Sequence, residues 1–351
     1  MKRKLKAGLK HKKWWWILPL SILAIVLVCG AYSYLPVSRD NMKRSVAVVQ
    51  CDYYFAIADG HRMVAYFGGV KQDSTLDIVS TDRLNAIQHT YHTACWVNKL
   101  ALLPSCKGRL IAAMDTHAAD SLTVTVANHL DRILQKETDY LKSELKRLQF
   151  KKEELRYFLS IHGVMDEGYN MISQYATMVN HQCDSVTKLL KVLKQERNHN
   201  MLRVKYVAKY KVLYVDDSLK QRVIPCVLID GALLDNRYAA LRTHNGETPS
   251  GTHALYFHLW PTMGVRVKST VFAAGYTPDV LACGYGGKRS AVLMPGTIMD
   301  KKGRLARTDI PTTVMSDGGA AFSANGFFVG LMQDGKVMNE KNYRAALHKM
   351  K

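Results

Sequence analysis

The chain has 351 residues, 48% hydrophobic and 22% charged, with a formal net charge of +20. Such a composition can bury a full core, and it excludes a disordered, collagen-like or disulfide-knotted miniprotein. Beyond the N-terminus the basic residues are scattered and form no nucleic-acid motif, so the positive charge reads as a solvated surface and no nucleic-acid partner is expected.

Residues 1–13 carry seven Lys or Arg and no acid. They abut an apolar run, 14–35, that contains no charged residue. About 20 residues at a rise of 1.5 Å cover a bilayer core, and in lipid every backbone polar group must be bonded internally, so the run predicts a transmembrane helix. Lys and Arg on its N-terminal side place that end in the cytoplasm, and Trp14, Trp15, Trp16, Tyr32 and Tyr34 sit where interfacial aromatics belong. The run is longer than the core of a signal peptide and no small-x-small cleavage site follows it, so it predicts a retained anchor in the lipid bilayer. The rest of the chain is then expected outside, with a bacterial inner membrane and its periplasm as the setting. Six of the seven cysteines, Cys51, Cys95, Cys106, Cys183, Cys226 and Cys283, lie on that side. They allow either disulfides or buried thiols. No CxxC or Cys/His ligand spacing occurs, and neither metal nor cofactor is expected.

From residue 45 to about 120 short apolar or aromatic runs are broken by Gly and Asp, which predicts strands: Val46–Val49, Tyr53–Ile57, Met63–Phe67, Ala94–Val97 and Arg109–Ala113. The period then changes. Leu130, Leu134, Leu141, Leu145, Leu148, Leu155 and Leu159 recur at steps of three, four or seven, and Ile172, Tyr175, Val179, Val186, Leu190 and Leu193 repeat the pattern after a break at Gly163 and Gly168. This spacing predicts a long antiparallel helical hairpin, a two-stranded coiled coil, over 122–198. Strand text resumes over 200–338, and 339–351 is a polar tail.

Within that last stretch, Pro311-Thr-Thr-Val-Met-Ser-Asp-Gly-Gly-Ala-Ala-Phe-Ser-Ala-Asn-Gly-Phe-Phe-Val-Gly-Leu331 resembles the nucleophile region of trypsin-like (chymotrypsin-fold, HtrA-like) serine peptidases. In that family Gly-Asp-Ser-Gly-Gly-Pro is followed by a strand, a turn and a strand ending in Val-Gly-Ile. Val271 to Pro278 is similar to the family's strand ending in Gly-Tyr-Pro, and Pro295-Gly-Thr-Ile298 to its Gly-x-Ile/Val strand. Thr93 to Lys99 with Gly108 to Asp115 looks like the segment that delivers the general base. Gly251 to Leu259 looks like the strand that carries the orienting acid. The resemblance implies a mostly β, trypsin-like double β-barrel, with a first lobe over 45–120, the remainder of the β unit including the second lobe over 200–338, and the hairpin inserted between the base and acid positions.

It also implies where the catalytic triad would stand, and there the sequence departs from the family. Asp115 occupies the base position, Thr252 the acid position and Asp317 the nucleophile position. Met315 replaces the Gly of the oxyanion hole, and Ser316 the Asp that holds the loop. A carboxylate cannot be activated by proton removal as a hydroxyl is, and no imidazole is placed to shuttle the proton. No catalytic residue is therefore expected.

The reading that follows is an anchored, inactive peptidase homologue serving as a binding or scaffolding module. A protein or peptide partner is expected, with self-association through the hairpin as an option. Two alternatives stand beside it. One is an active endopeptidase with a shifted triad using His117 and Ser316. The other is a periplasmic adaptor-type subunit, whose hairpin would be flanked by lipoyl-like halves.

Overall fold

The computed structural model describes residues 20, 21, 23, 24, 35–98, 108–114, 116–196, 202–216, 218, 220–234, 237–256, 265–284, 291–303 and 305–339. The expected transmembrane segment, 14–35, lies outside this set except for Leu20, Ser21, Leu23, Ala24 and Leu35. Among the described residues no helix is long and apolar enough to cross a membrane. Two units divide the chain: Met1–Cys51, Thr90–Thr116 and Lys209–Lys351 form one, and Asp52–His89 with His117–Ala208 the other.

The first unit holds two closed six-stranded barrels, the number that a trypsin-like double barrel requires. One is built from β1 (Val46–Asp59), β5 (Gln88–Asn98), β6 (Arg109–Ala113), β7 (Leu202–Val215), β8 (Gln221–Leu234) and β9 (Tyr238–Thr243). Its strands run in the order β1-β5-β6-β9-β8-β7, with β7 returning to β1. Three strands therefore come from before the helical text and three from after it. The stretch 45–120 supplies β1, β5 and β6 of this barrel, and the stretch from 200 onward supplies β7, β8 and β9. Closure leaves this barrel no long unpaired edge, and side chains are buried on both of its faces: Trp96, Leu110 and Leu241 share one face, while Cys95, Ile111 and Ala240 share the other and pack with Val48 and Phe322. The two predicted strands at 46–49 and 53–57 are one continuous strand of 14 residues.

The second barrel is β11 (Thr270–Gly275), β12 (Val292–Lys302), β13 (Leu305–Thr308), β14 (Ala320–Ser323), β15 (Phe328–Gln333) and β16 (Lys336–Asn339), closed in the order β11-β12-β13-β16-β15-β14. Its interior is small and apolar, with Val271, Ala273, Ile298, Ala321, Val329 and Val337 in one cluster. A short helix, α1 (Arg39–Arg44), precedes β1; the Ser38 hydroxyl accepts from the Asn41 amide at 3.3 Å, the usual side-chain cap of a helix start. From α1, Met42 reaches a core shared with Phe322, Phe328 and Leu331.

The second unit carries the helices. After β2 (Arg62–Phe67), β3 (Gly69–Val70), β4 (Leu76–Asp77) and α2 (Arg83–Ala86) come α3 (Thr116–Asn128), α4 (Leu130–Ile161) and α5 (Tyr169–Glu196). The last two form the expected helical pair. They are somewhat shorter than the repeats suggest, at 32 and 28 residues, because the chain breaks at His129 and α3 is separate. Leu148, Val179 and Cys183 pack with Leu145, Leu155, Tyr175 and Val186 along the distal seam. At the base Leu130, Ile133, Leu134, Leu141, Leu189, Leu190 and Leu193 join Phe55, Ile57 and Phe67 of the paired strands β1 and β2. The hairpin is therefore rooted in a core of its own unit. Its turn is held by Asp166, whose carboxylate accepts the Gly163 amide at 2.8 Å. Gly168, at φ +81, supplies the left-handed residue from which α5 starts.

Candidate functional site

The loop that resembles a nucleophile region connects β13 to β14 inside the first unit. Gly318 and Gly319 fix its path. The Gly318 amide donates to the Met332 carbonyl at 2.9 Å, and the Met332 amide donates to Gly319 at 2.8 Å, so the loop is stitched to β15. At φ +89, Gly318 occupies a conformation that side chains resist, and a Cβ there would overlap the Thr93 carbonyl of β5. The two barrels meet at this glycine, which accounts for the Gly-Gly pair on packing grounds alone.

Ser316 makes a second tie. Its hydroxyl donates to the Tyr276 carbonyl at 2.7 Å and lies 2.6 Å from the Thr93 hydroxyl, while its amide donates to the same carbonyl at 3.0 Å. With its hydrogen on a carbonyl and its lone pair facing Thr93, this hydroxyl is engaged as a structural clasp.

Asp317 sits on the other side of the loop, half-buried. Its carboxylate accepts the Asp334 amide at 2.8 Å. Burial pushes its pKa above the usual carboxylate range and the Asp334 charge adds to that, while the Asp334 amide and the Arg237 guanidinium pull the other way. Arg237 pairs with the Asp334 carboxylate and stands immediately before β9 of the first barrel. Next to it, Tyr238 is buried and donates its hydroxyl to the Met332 carbonyl at 2.7 Å. Among the described residues no imidazole hydrogen-bonds the Asp317 carboxylate.

The Met315 amide, which the sequence resemblance sets against an oxyanion-hole donor, donates to the Pro311 carbonyl at 3.2 Å. The Met315 side chain is buried in the second barrel's core. A donor already used within its own turn is not aimed at a developing oxyanion.

The other positions named from the sequence are placed as follows. Asp115 lies outside the described residues. His117 falls in α3, and the description does not extend to its side chain. Thr252 turns its hydroxyl onto the Pro249 carbonyl at 2.7 Å, and no hydrogen bond among the described residues ties it to Asp317. The strand expected after it is only β10 (Leu255–Tyr256), which pairs parallel with β5 outside the ring of six. The first-barrel residue that faces Asp317 and Asp334 is Arg237. Sequence reasoning missed it, although Arg237 precedes the apolar run Tyr238-Ala-Ala-Leu241 at the spacing sought in Gly251 to Leu259.

Two described imidazoles are partly buried, His92 in β5 of the first barrel and His253 before β10. His92 bonds the Thr90 hydroxyl at 3.1 Å; burial lowers its pKa, and a backbone bond to Ala113 opposes the shift. His253 is also lowered by burial. Neither has a described bond to Ser316 or Asp317. Cys51, Cys95, Cys183 and Cys226 are buried free thiols and Cys283 an exposed one, while Cys106 lies outside the described residues. Among the described residues no cluster of three His, Cys, Asp or Glu could hold a metal ion.

No family model matches the sequence, and no curated protein does. Among solved structures the chain is similar to one titled as the crystal structure of Deg5, with 17% identity and a TM-score of 0.29, over 40% of this chain and 66% of that one.

Proposed function

We propose that the chain is a membrane-anchored, extracytoplasmic homologue of the trypsin-like serine peptidases that no longer hydrolyses peptides and instead binds or scaffolds a protein partner. The observation that carries this reading is the loop at 315–317. In a working peptidase those three residues supply an oxyanion donor, a loop anchor and a nucleophile. Here the Met315 amide is used by Pro311, the Ser316 hydroxyl by Tyr276 and Thr93, and Asp317 offers a carboxylate held by the Asp334 amide. The anchor rests on the basic tail and the apolar run at 14–35. A protein or peptide is proposed as the partner by fold analogy alone, because trypsin-like folds take peptides between their two barrels. The hairpin offers a second surface for a partner or another copy.

The shifted-triad alternative loses its nucleophile to the Ser316 clasp. The adaptor alternative asks for lipoyl-like halves where two closed barrels stand. A serine-reactive fluorophosphonate probe with a casein assay tests the inactive reading. Silence in both is expected, and labelling of Ser316 with casein turnover reverses it.

A further inference from the structure

One end of the second barrel collects groups that suit a lipid surface. The register fixes which groups share that end. Thr270 at the start of β11 lies opposite Thr297 of β12, and Val271 opposite Ser323 at the end of β14. The segment before β11, the β14–β15 turn and the β12–β13 hairpin therefore project from the same rim. Asp317 and the β15–β16 turn lie at the other rim.

On the first rim, Val267 is 48% and Met299 59% exposed, a high exposure for apolar side chains. Four exposed cations surround them: Arg266, Lys268, Lys301 and Lys302. The Lys268 amide donates to the Ile298 carbonyl at 2.8 Å, and the Lys301 ammonium donates to the Val265 carbonyl at 3.3 Å, so the two segments are in direct contact. Asp300 is the one acid among the described residues of these two segments, and its carboxylate accepts the Lys301 amide at 2.6 Å. Apolar tips within a basic collar match the chemistry of an anionic bilayer interface.

The entering chain reaches the same rim. The apolar run ends at Leu35, and two residues later the Val37 amide donates to the Gly326 carbonyl of the β14–β15 turn at 2.9 Å. A Cβ on Gly326 would meet Val37 and Pro36, so the fit is close. Arg39 then lies over the Phe272 ring of β11, 5.3 Å from its centre. With only Pro36 between the run and this contact, the end of the run at Leu35 stays within about 10 Å of the β14–β15 turn on this rim, since an extended residue spans at most about 3.6 Å.

The geometry points to this rim, Arg266, Val267, Lys268, Met299, Lys301 and Lys302, as a docking surface for the anionic headgroup layer of the membrane that holds the anchor. The inference rests on the anchored reading. It adds that the barrel lies on the bilayer instead of swinging on a tether.

The test uses the full chain in phosphatidylcholine vesicles with and without phosphatidylglycerol, with a photoreactive benzophenone amino acid at position 299 or, on the opposite rim, at exposed position 312. Alkaline carbonate washing is applied first. Position 299 is expected to crosslink lipid well above position 312 when phosphatidylglycerol is present. Neutralising Arg266, Lys268, Lys301 and Lys302 to Gln together is expected to lower that yield by at least about fivefold, the factor that a single cation contributes at an anionic surface. Equal yields at 299 and 312, or a yield at 299 indifferent to both phosphatidylglycerol and the four charges, in protein that survives the wash, overturns the docking surface alone. Protein stripped by the wash overturns the anchor, and the docking surface with it.

Discussion

Glu137 is a carboxylate at 2% exposure inside the core of the helical unit, with its Oε2 accepting the Leu76 amide at 3.1 Å. Burial raises its pKa above 4.5, with the Asp73 charge adding to the shift, while the Leu76 bond and Lys71 offset only part of it. A folded-state pKa above the unfolded one means that Glu137 costs nothing below the unfolded value and removes stability as pH rises through the folded value. Glu137→Gln keeps the acceptor and drops the charge. It is expected to raise the Tm at neutral pH by a few degrees, on the order of 1 kcal/mol for a domain of this size, and to leave it unchanged near pH 4. Melts of both proteins across that range check it, and an equal gain at every pH removes the charge explanation. A mid-helix Glu among Leu repeats reads as a solvated position, and only the strand that covers it makes it a core residue. Gly318-Gly319 stood out in the sequence as a pair, but the close approach to the Thr93 carbonyl that requires Gly318 was not legible there. Arg237 was not legible, since nothing local distinguishes the arginine before one short apolar run from the threonine before another.

At the scale of elements, the hairpin was the most legible part, because a seam of Leu and Val at heptad steps has few other physical uses. Its root was hidden. The aromatic strands that cover it, with the Phe55 and Phe67 rings stacked at 5.2 Å, sit some 70 residues earlier and carry no mark of their partner. That root decides how the hairpin can be cut. Removing 125–197 takes away Leu130, Ile133, Leu134, Leu189, Leu190 and Leu193 and bares Phe55, Ile57 and Phe67. At about 2–5 kcal/mol per large core side chain lost, that unit is expected to unfold. Removing only 146–182 and bridging with glycines deletes the distal seam and spares the root. The shortened protein is expected to keep its near-ultraviolet circular dichroism and its melting midpoint, where the longer deletion loses both. Light scattering on the same shortened variant tests self-association through the hairpin: a fall to monomer is the expected outcome, and an unchanged mass removes that proposal.

At the scale of the whole molecule, the first barrel cannot close until most of the chain exists. Arg109 of β6 is opposite Arg242 of β9, and β8 and β7 complete the ring from β9 back to β1. A sheet of β1, β5 and β6 alone has two open edges, and side chains that the folded protein buries stand on both of its faces, Trp96 and Leu110 on one and Val48 and Ile111 on the other. Open, apolar edges are aggregation sites, and pairings across so long an intervening segment form late. The helices soften this cost. Leu130 at the start of α4 and Leu202 at the start of β7 line one cavity, so once the hairpin folds, the chain re-enters β7 close to where it left. Loop-closure entropy then counts the few residues left outside the hairpin instead of the whole insertion, and each halving of effective loop length is worth about 0.6 kcal/mol. A fragment ending at residue 201 is therefore expected to aggregate. Refolded together with a fragment of 202–351, it should regain protease resistance across β5 and β6. The hairpin-shortened chain should refold within about threefold of the full chain, because its re-entry point is unchanged. A slowing of tenfold or more would place the distal helices in the folding nucleus and make them more than an appendage of the barrels.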